Sequence, residues 1–273
     1  FLESFLAREG PRHSTAELLE WVQRRNREVT VRVEPVPFSE LAEWRFHPDT
    51  GNLYHRSGRF FSIEGLRVRA DDGHPRQWDQ PIIVQPEIGY LGFVSTFIDG
   101  VLCVLIQAKI EPGNLNHVQL SPTLQATRSN YMRVHQGRSP RYLELFQEAR
   151  PQDILLDQLQ SEQGARFYRK RNRNILICVP DEIPEDDDFR WVTLGQIKAL
   201  LAHDNVVNMD TRTVLSGIPL ASALSSCSEN ERDKWVEQRG LKEWSRLVIR
   251  SELSKEGIHT LDELISWLTH LKA

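Results

Sequence analysis

The feature that most constrains this chain is a dipeptide. Asp99-Gly100 lies between two strand-like runs, Gly89–Ile98 and 101–108. Asp-Gly between such runs is a strong hairpin signal, because the favoured two-residue turn needs positive φ at its centre. A second apolar run, 175–179, reads as a buried strand. More strands are expected at 53–70, with Ser57-Gly58 as a turn, and at 81–84. Another is expected at 29–33, where the residues alternate until Pro35 and Pro37 end the pattern. Trp78 falls in what reads as a Pro-rich turn.

Capping patterns set the helices. Ser14 with Glu17 forms a capping box and predicts an amphipathic helix over 14–26, with Leu18, Leu19 and Val22 inward. Thr193 with Gln196 does the same for a helix that carries Leu194, Ile197, Leu200 and Leu201. Ser121-Pro122 predicts a helix start, Ser at the N-cap and Pro at the first turn. That helix would put Gln125, Arg128 and Ser129 on one face. Residues 39–44 read as a short helix, 109–116 as a polar loop, 140–160 as partly helical and 180–188 as an acidic loop. The expected class is α+β, with flanking helices at both ends.

At 273 residues the chain has room for one large domain or two small ones. Its 34 Lys and Arg against 38 Asp and Glu argue against a duplex nucleic-acid or anionic-membrane coat. The apolar runs are far shorter than the roughly 20 residues a membrane helix needs. Three scattered cysteines do not make a disulfide frame, so a reduced, cytoplasmic protein is expected, without a signal peptide. No Cys-x-x-Cys, no His-x-x-x-His and no Gly-rich phosphate loop is present, so neither a metal nor a nucleotide cofactor is expected.

One short repeat stands out. His13-Ser-Thr-Ala-Glu-Leu-Leu-Glu-Trp21 resembles His259-Thr-Leu-Asp-Glu-Leu-Ile-Ser-Trp267, with four of nine positions identical and the capping box repeated. Either these are two unrelated capped helices or a second module of the same kind starts near residue 247. The expected division is 1–220 as one module and 221–273 as a helical linker and the start of another.

Two segments are dense in groups that do chemistry. Gln160, Ser161, Glu162, Gln163 and Gly164 form a polar cluster. It leads into five cations in eight residues, Arg166, Arg169, Lys170, Arg171 and Arg173. These read either as a solvated face or as an anion site for a diphosphate.

Several longer runs resemble the NDP-hexose 2,3-dehydratase family. They are Thr50-Gly-Asn-Leu-Tyr-His-Arg-Ser-Gly-Arg-Phe-Phe61, Trp78-Asp-Gln-Pro-Ile-Ile83, Gln119-Leu-Ser-Pro-Thr-Leu-Gln-Ala-Thr-Arg-Ser-Asn-Tyr131, Leu159-Gln-Ser-Glu-Gln-Gly164, Arg169-Lys-Arg-Asn-Arg-Asn174 and Asp204-Asn-Val-Val-Asn-Met-Asp-Thr-Arg-Thr213. The resemblance covers about residues 10–220 and implies a Nudix-like mixed sheet sandwiched by helices, in the first of two tandem modules. It implies loss of water from dTDP-4-keto-6-deoxyglucose in deoxysugar and antibiotic biosynthesis, without metal or redox cofactor. A non-catalytic dTDP-sugar-binding module is the alternative. A magnesium-dependent Nudix hydrolase is disfavoured, because the helix expected at 123–134 has no carboxylate to hold the ion.

The resemblance also suggests roles. Glu162, Tyr131 and His117 are candidate acids and bases, with His135 in reserve. Gln125, Arg128, Ser129, Asn130, Gln160, Ser161, Gln163 and Gly164 are candidate sugar contacts. Arg169, Lys170 and Arg171 would face the diphosphate, and Trp78 the thymine. A homodimer and a downstream NADPH ketoreductase are the expected partners; nucleic acid and membrane are not.

Overall fold

The computed structural model describes residues 1–71, 76–127, 139–221, 224–240, 243–254 and 259–272. Two helices lead, α1 (Leu2–Leu6) and α2 (Thr15–Glu28). A four-stranded antiparallel sheet follows, β1 (Trp44–Phe46), β2 (Leu53–His55), β3 (Ser62–Ala70) and β4 (Arg76–Val84), paired in that order. The larger sheet contains β5 (Gly89–Ile98), β6 (Val101–Ile110), β7 (Val118–Ser121), β8 (Leu124–Ala126), β9 (Ile154–Ser161), β10 (Arg171–Cys178) and β11 (Phe189–Val192). The remaining helices are α3 (Leu143–Gln147), α4 (Leu194–Leu200), α5 (Met209–Ser216), α6 (Glu229–Gln238), α7 (Glu243–Leu253) and α8 (Leu261–Lys272).

The expected hairpin is present, and its turn residues Asp99 and Gly100 both have positive φ, 50° and 80°. Its arms pair only from Ser95↔Val104 to Ile98↔Val101 and then part. Beyond that point β5 pairs with β8 and, in parallel, with β10; β6 pairs with β7 and β11. Thr123 plugs the fork. Its hydroxyl accepts the Val94 N–H at 2.9 Å and donates to the Leu105 carbonyl.

This explains a departure from the sequence reading. The helix expected from Ser121-Pro122 is instead the crossing from β7 to β8 as far as residue 126. The parted arms leave ladder groups that only strands can pair, and Pro122, lacking an N–H, sits at the crossing where none is needed. The strand expected at 29–33 is also absent: residues 29–37 form no strand, and Val33 is exposed. Pro35 and Pro37 remove donors there. Trp78 belongs to β4, opposite Val68, and not to a turn.

The larger sheet lies between helices. On one face Leu18, Trp21 and Val22 of α2, Leu194, Ile197 and Leu200 of α4 and Val214 of α5 pack on Leu91, Phe93, Val104, Ile106 and Leu176. On the other, Leu143 and Phe146 of α3 pack on Val94, Leu105, Ile175 and Ile177. A Cβ on Gly92 would lie 2.4 Å from the Phe146 ring, so glycine lets α3 settle on β5. The architecture is α+β, with a mixed sheet covered by helices on both faces. The predicted capping boxes form at Ser14 and at Thr193, and Thr260 and Glu263 exchange the same pair of bonds.

The acidic loop 180–188 is tied down by two arginines, a histidine and two indoles. Glu182 pairs with Arg12 at 2.6 Å, Glu185 with His13 at 2.7 Å and Asp188 with Arg25 at 2.6 Å. The Trp21 and Trp191 indoles donate to the carbonyls of Asp187 and Ile183. A third core joins the ends of the chain, packing Leu2 and Leu6 of α1 with Leu224, Val236 and Ile249. Helix α8 presents Leu264, Ile265, Trp267 and Leu268 to solvent. Among the described residues no helix is long and apolar enough to cross a membrane.

Candidate functional site

Where β5 and β6 part, a cavity of about 280 Å³ opens. Its wall is built by the start of β5 (Gly89, Tyr90, Leu91), the end of β6 (Lys109) and Glu111 just beyond. Gln125, Ala126 and Thr127 come from β8 and its exit, Asn172 from β10 and Asp210 from the first turn of α5. Glu162, Phe167 and Lys170 come from the β9–β10 connection. With Gln85, which precedes β5, three carboxyl groups, two ammonium groups and three amides thus face one space.

The β9–β10 connection is held in a defined shape. The Glu162 N–H donates to the Lys170 carbonyl at 3.0 Å, extending the ladder one step past Ser161↔Arg171. The small sheet braces the loop: Ile83 donates to the Arg166 carbonyl at 2.8 Å and accepts from Tyr168 at 2.9 Å. Arg169 has φ 51°, a conformation few non-glycine residues adopt. It leaves the Arg169 guanidinium exposed, 5.1 Å over the Tyr168 ring, while Lys170 is only 4 % exposed. The Lys170 ammonium donates to the Glu87 carbonyl. Burial pulls its pKa down, opposed by the charges of Glu87 and Glu162.

Glu162 is fixed at both oxygens. The Asn172 amide donates to Oε2 at 2.7 Å, and the Gln163 N–H to Oε1 at 3.2 Å. A second chain of hydrogen bonds runs through the lining residues Gln125 and Glu111. Asn208 caps α5 by accepting the Thr211 N–H at 2.9 Å, and its amide donates to Gln125 Oε1 at 3.1 Å. Gln125 in turn donates to Glu111 Oε1 at 2.8 Å, and Glu111 pairs with Lys109 at 3.4 Å. Asp210 lies two positions past the cap. Burial first, then the charges of Glu162 and Glu111, push its pKa up to about 6, against the pull of Lys109.

Of the residues singled out in the sequence, Gln125, Glu162 and Lys170 line the cavity. Arg128, Ser129, Asn130, Tyr131 and His135 lie outside the described residues. Gln160 donates to Gln158 Oε1 at 3.2 Å, and Gln163 approaches the Met209 sulfur at 2.8 Å. Ser161, Gly164 and Arg171 are exposed. His117 precedes β7, does not line the cavity, and has a buried Nδ1 with no partner among the described residues. Trp78 is exposed on β4, and its indole donates to Gln80, whose amide reaches the Ala165 carbonyl. Arg173 is engaged by Asp157 at 2.8 Å and by the Tyr90 hydroxyl at 3.3 Å.

Sequence reasoning missed Asp210, Asn172, Lys109 and Glu111. Two of them sit in runs already quoted: Asp210 within 204–213, and Asn172 inside the basic stretch, where the cations draw attention. Lys109 and Glu111 read as an ordinary polar loop.

The arrangement can move protons on a small polar ligand. It offers fixed acceptors, a carboxyl near neutrality and amide donors in one cavity.

Comparison with known proteins adds identity. The sequence matches the NDP-hexose 2,3-dehydratase family over residues 15–218. A Saccharopolyspora spinosa protein described as dTDP-4-dehydro-6-deoxy-alpha-D-glucopyranose 2,3-dehydratase is 43% identical over 273 residues, all of this chain and 54% of the relative. Proteins of the same description from Amycolatopsis orientalis and Streptomyces violaceoruber are each 48% identical. They align over 77% and 75% of this chain and 46% of their own length. The chain thus spans about half the length of the curated relatives it matches. One solved structure, titled "Crystal structure of ADP compounds hydrolase", aligns with TM-score 0.35 and 12% identity over 67% of this chain and 89% of that one. A likeness that slight carries no argument. The family that the sequence motifs suggested is the one matched over three quarters of the residues, and the chain belongs to the NDP-hexose 2,3-dehydratase family.

Proposed function

We propose that this chain performs the reaction of its named relatives. It removes water across C2 and C3 of dTDP-4-keto-6-deoxyglucose and gives a 3,4-diketo-2,6-dideoxy nucleotide sugar. The observation that carries the reading is Glu162, a carboxyl group anchored by Asn172 and turned into a cavity with Lys170 and Gln125. The C3 hydrogen lies beside the C4 ketone and is acidic. A base removes it, the C2 hydroxyl leaves, and the enol becomes the diketone. The reaction needs a base at C3, a donor at the C4 oxygen and an acid at the C2 hydroxyl.

A cavity of about 280 Å³ is small for a drug-sized ligand and of the scale of one sugar ring. In this reading the sugar fills it and the nucleotide runs outward along the β9–β10 connection. Lys170 sits there, Arg169 and Arg171 are exposed, and Trp78 lies beyond. Arg128, Ser129, Asn130 and Tyr131 keep their proposed roles because they directly follow Thr127, a lining residue.

The same proposal covers the wider assignments: no metal in the chemistry, a homodimer in the cytoplasm, and an NADPH ketoreductase to consume the unstable diketone. It also keeps 221–273 as linker and start of a second module. The face of α8 supports this, since Leu264, Ile265, Trp267 and Leu268 stand where Leu18, Leu19, Trp21 and Val22 stand in the repeat, the set with which α2 packs on the sheet.

The test is to incubate the protein with the ketosugar and an NADPH ketoreductase. A 2-deoxy product is expected. Calorimetric binding without product would make it a dTDP-sugar-binding module, and neither binding nor product would overturn both readings.

A further inference from the structure

Of the three carboxyl groups that face the cavity, Glu162 comes from the β9–β10 connection and Asp210 from α5. Their surroundings differ in kind. Glu162 accepts N–H donors at both oxygens, so both are engaged as acceptors. No hydrogen bond reaches the Asp210 carboxyl group among the described residues. It is half-buried in the cavity wall, and among the described residues no side chain or backbone group pairs with it.

We infer that Asp210 is the general acid of this site, delivering its proton to the departing C2 hydroxyl while Glu162 takes the proton from C3. The inference rests on the dehydratase reading and assigns the acid that reading leaves open.

The steps balance. The Glu162 carboxylate takes the C3 proton, and the electron pair moves onto the C4 oxygen as an enolate. The C4 carbonyl re-forms, the C2=C3 bond forms and the C2–O bond breaks, its oxygen taking the Asp210 proton and leaving as water. The C3 hydroxyl proton then passes to the Asp210 carboxylate as the Glu162 carboxyl group delivers its proton to C2. Both residues return to their starting states, and the sugar has lost one water.

The surroundings of Asp210 fit an acid. Burial first, then Glu162 and Glu111, disfavour its ionisation, while Lys109 opposes them; Lys170 also lines the cavity. Two carboxyl groups whose environments differ in this way are how one site holds an acid and a base together.

The two roles separate in heavy water. Unsubstituted protein is expected to exchange the C3 hydrogen for deuterium and to dehydrate the sugar. Asp210→Asn is expected to keep C3 exchange within a few-fold and to lose dehydration by about 10²–10⁴-fold, the usual range for a general acid. Glu162→Gln is expected to lose both, and Asp210→Glu to recover part of the rate. Circular dichroism establishes that each variant folds. A folded Asp210→Asn that dehydrates at full rate overturns the inference and leaves the dehydratase reading standing. So does one that loses C3 exchange along with dehydration. If Asp210→Asn does not fold, the pH profile of unsubstituted protein decides: turnover must fall as pH rises past about 6, and a flat profile overturns the inference. Protein that neither exchanges nor dehydrates the sugar overturns the reading beneath, and the inference with it.

Discussion

The Asn172 amide donates to Glu162 Oε2 at 2.7 Å, so a strand residue fixes the direction of a carboxylate that belongs to a loop. Asn172 is 8 % exposed and is held by β5 on one side and β9 on the other. Its position is therefore set by the sheet.

Removing that anchor should show in turnover more than in binding. Asn172→Ala is expected to lower kcat about 10²-fold, the cost of misplacing a reacting group by roughly 1 Å, with KM changed little. Steady-state kinetics checks this. A KM rise with unchanged kcat would place Asn172 among the ground-state contacts instead.

Asp210 should leave a mark on stability. Its pKa is raised from 3.8 to about 6 on folding, so the folded state binds the proton more tightly than the unfolded one. The stability it contributes is full below about 3.8 and is lost as pH rises through about 6. Asp210→Asn, always neutral, should therefore gain on the wild type between those values and then hold a constant lead. The lead is expected to be about 1–3 kcal/mol. Urea unfolding of both proteins from pH 4 to pH 7 measures it.

Thr123→Val tests the plug between the parted arms. The shape is kept, but the Val94 N–H and the Leu105 carbonyl both lose their partner in a buried setting. At about 1–3 kcal/mol per orphaned group, a loss of roughly 2–6 kcal/mol is expected in urea unfolding. Thr123→Ser should lose much less.

Chelation tests the proposed chemistry from another side. Turnover is expected to be unchanged by EDTA and unaffected by added magnesium. A rate that collapses with chelator and returns with the ion would reopen the hydrolase reading.

How far the sequence could be read follows from how local each cause is. The capped helices at Ser14 and Thr193 and the turn at Asp99-Gly100 were legible because the signal and the structure it makes lie within four residues. The crossing at Pro122 was not. Ser-Pro is a fair helix start by itself, and what turned it into strands was the unpaired ladder of β5 and β6, set elsewhere in the chain. The site divides in the same way. Glu162, Lys170 and Gln125 stood out in polar clusters. Asp210 reads as an ordinary first-turn acid, and only the fold, by bringing α5 against the mouth of the sheet, sets it facing Glu162.

The segment that seals the parted hairpin also carries Gln125 and Thr127 to the ligand space. Seam and specificity are thus written in the same few residues, and a change that retunes one disturbs the other. Divergence of this scaffold toward new ligands is expected to proceed through the β9–β10 connection and the mouth of α5, where side chains can be exchanged without unpicking the join.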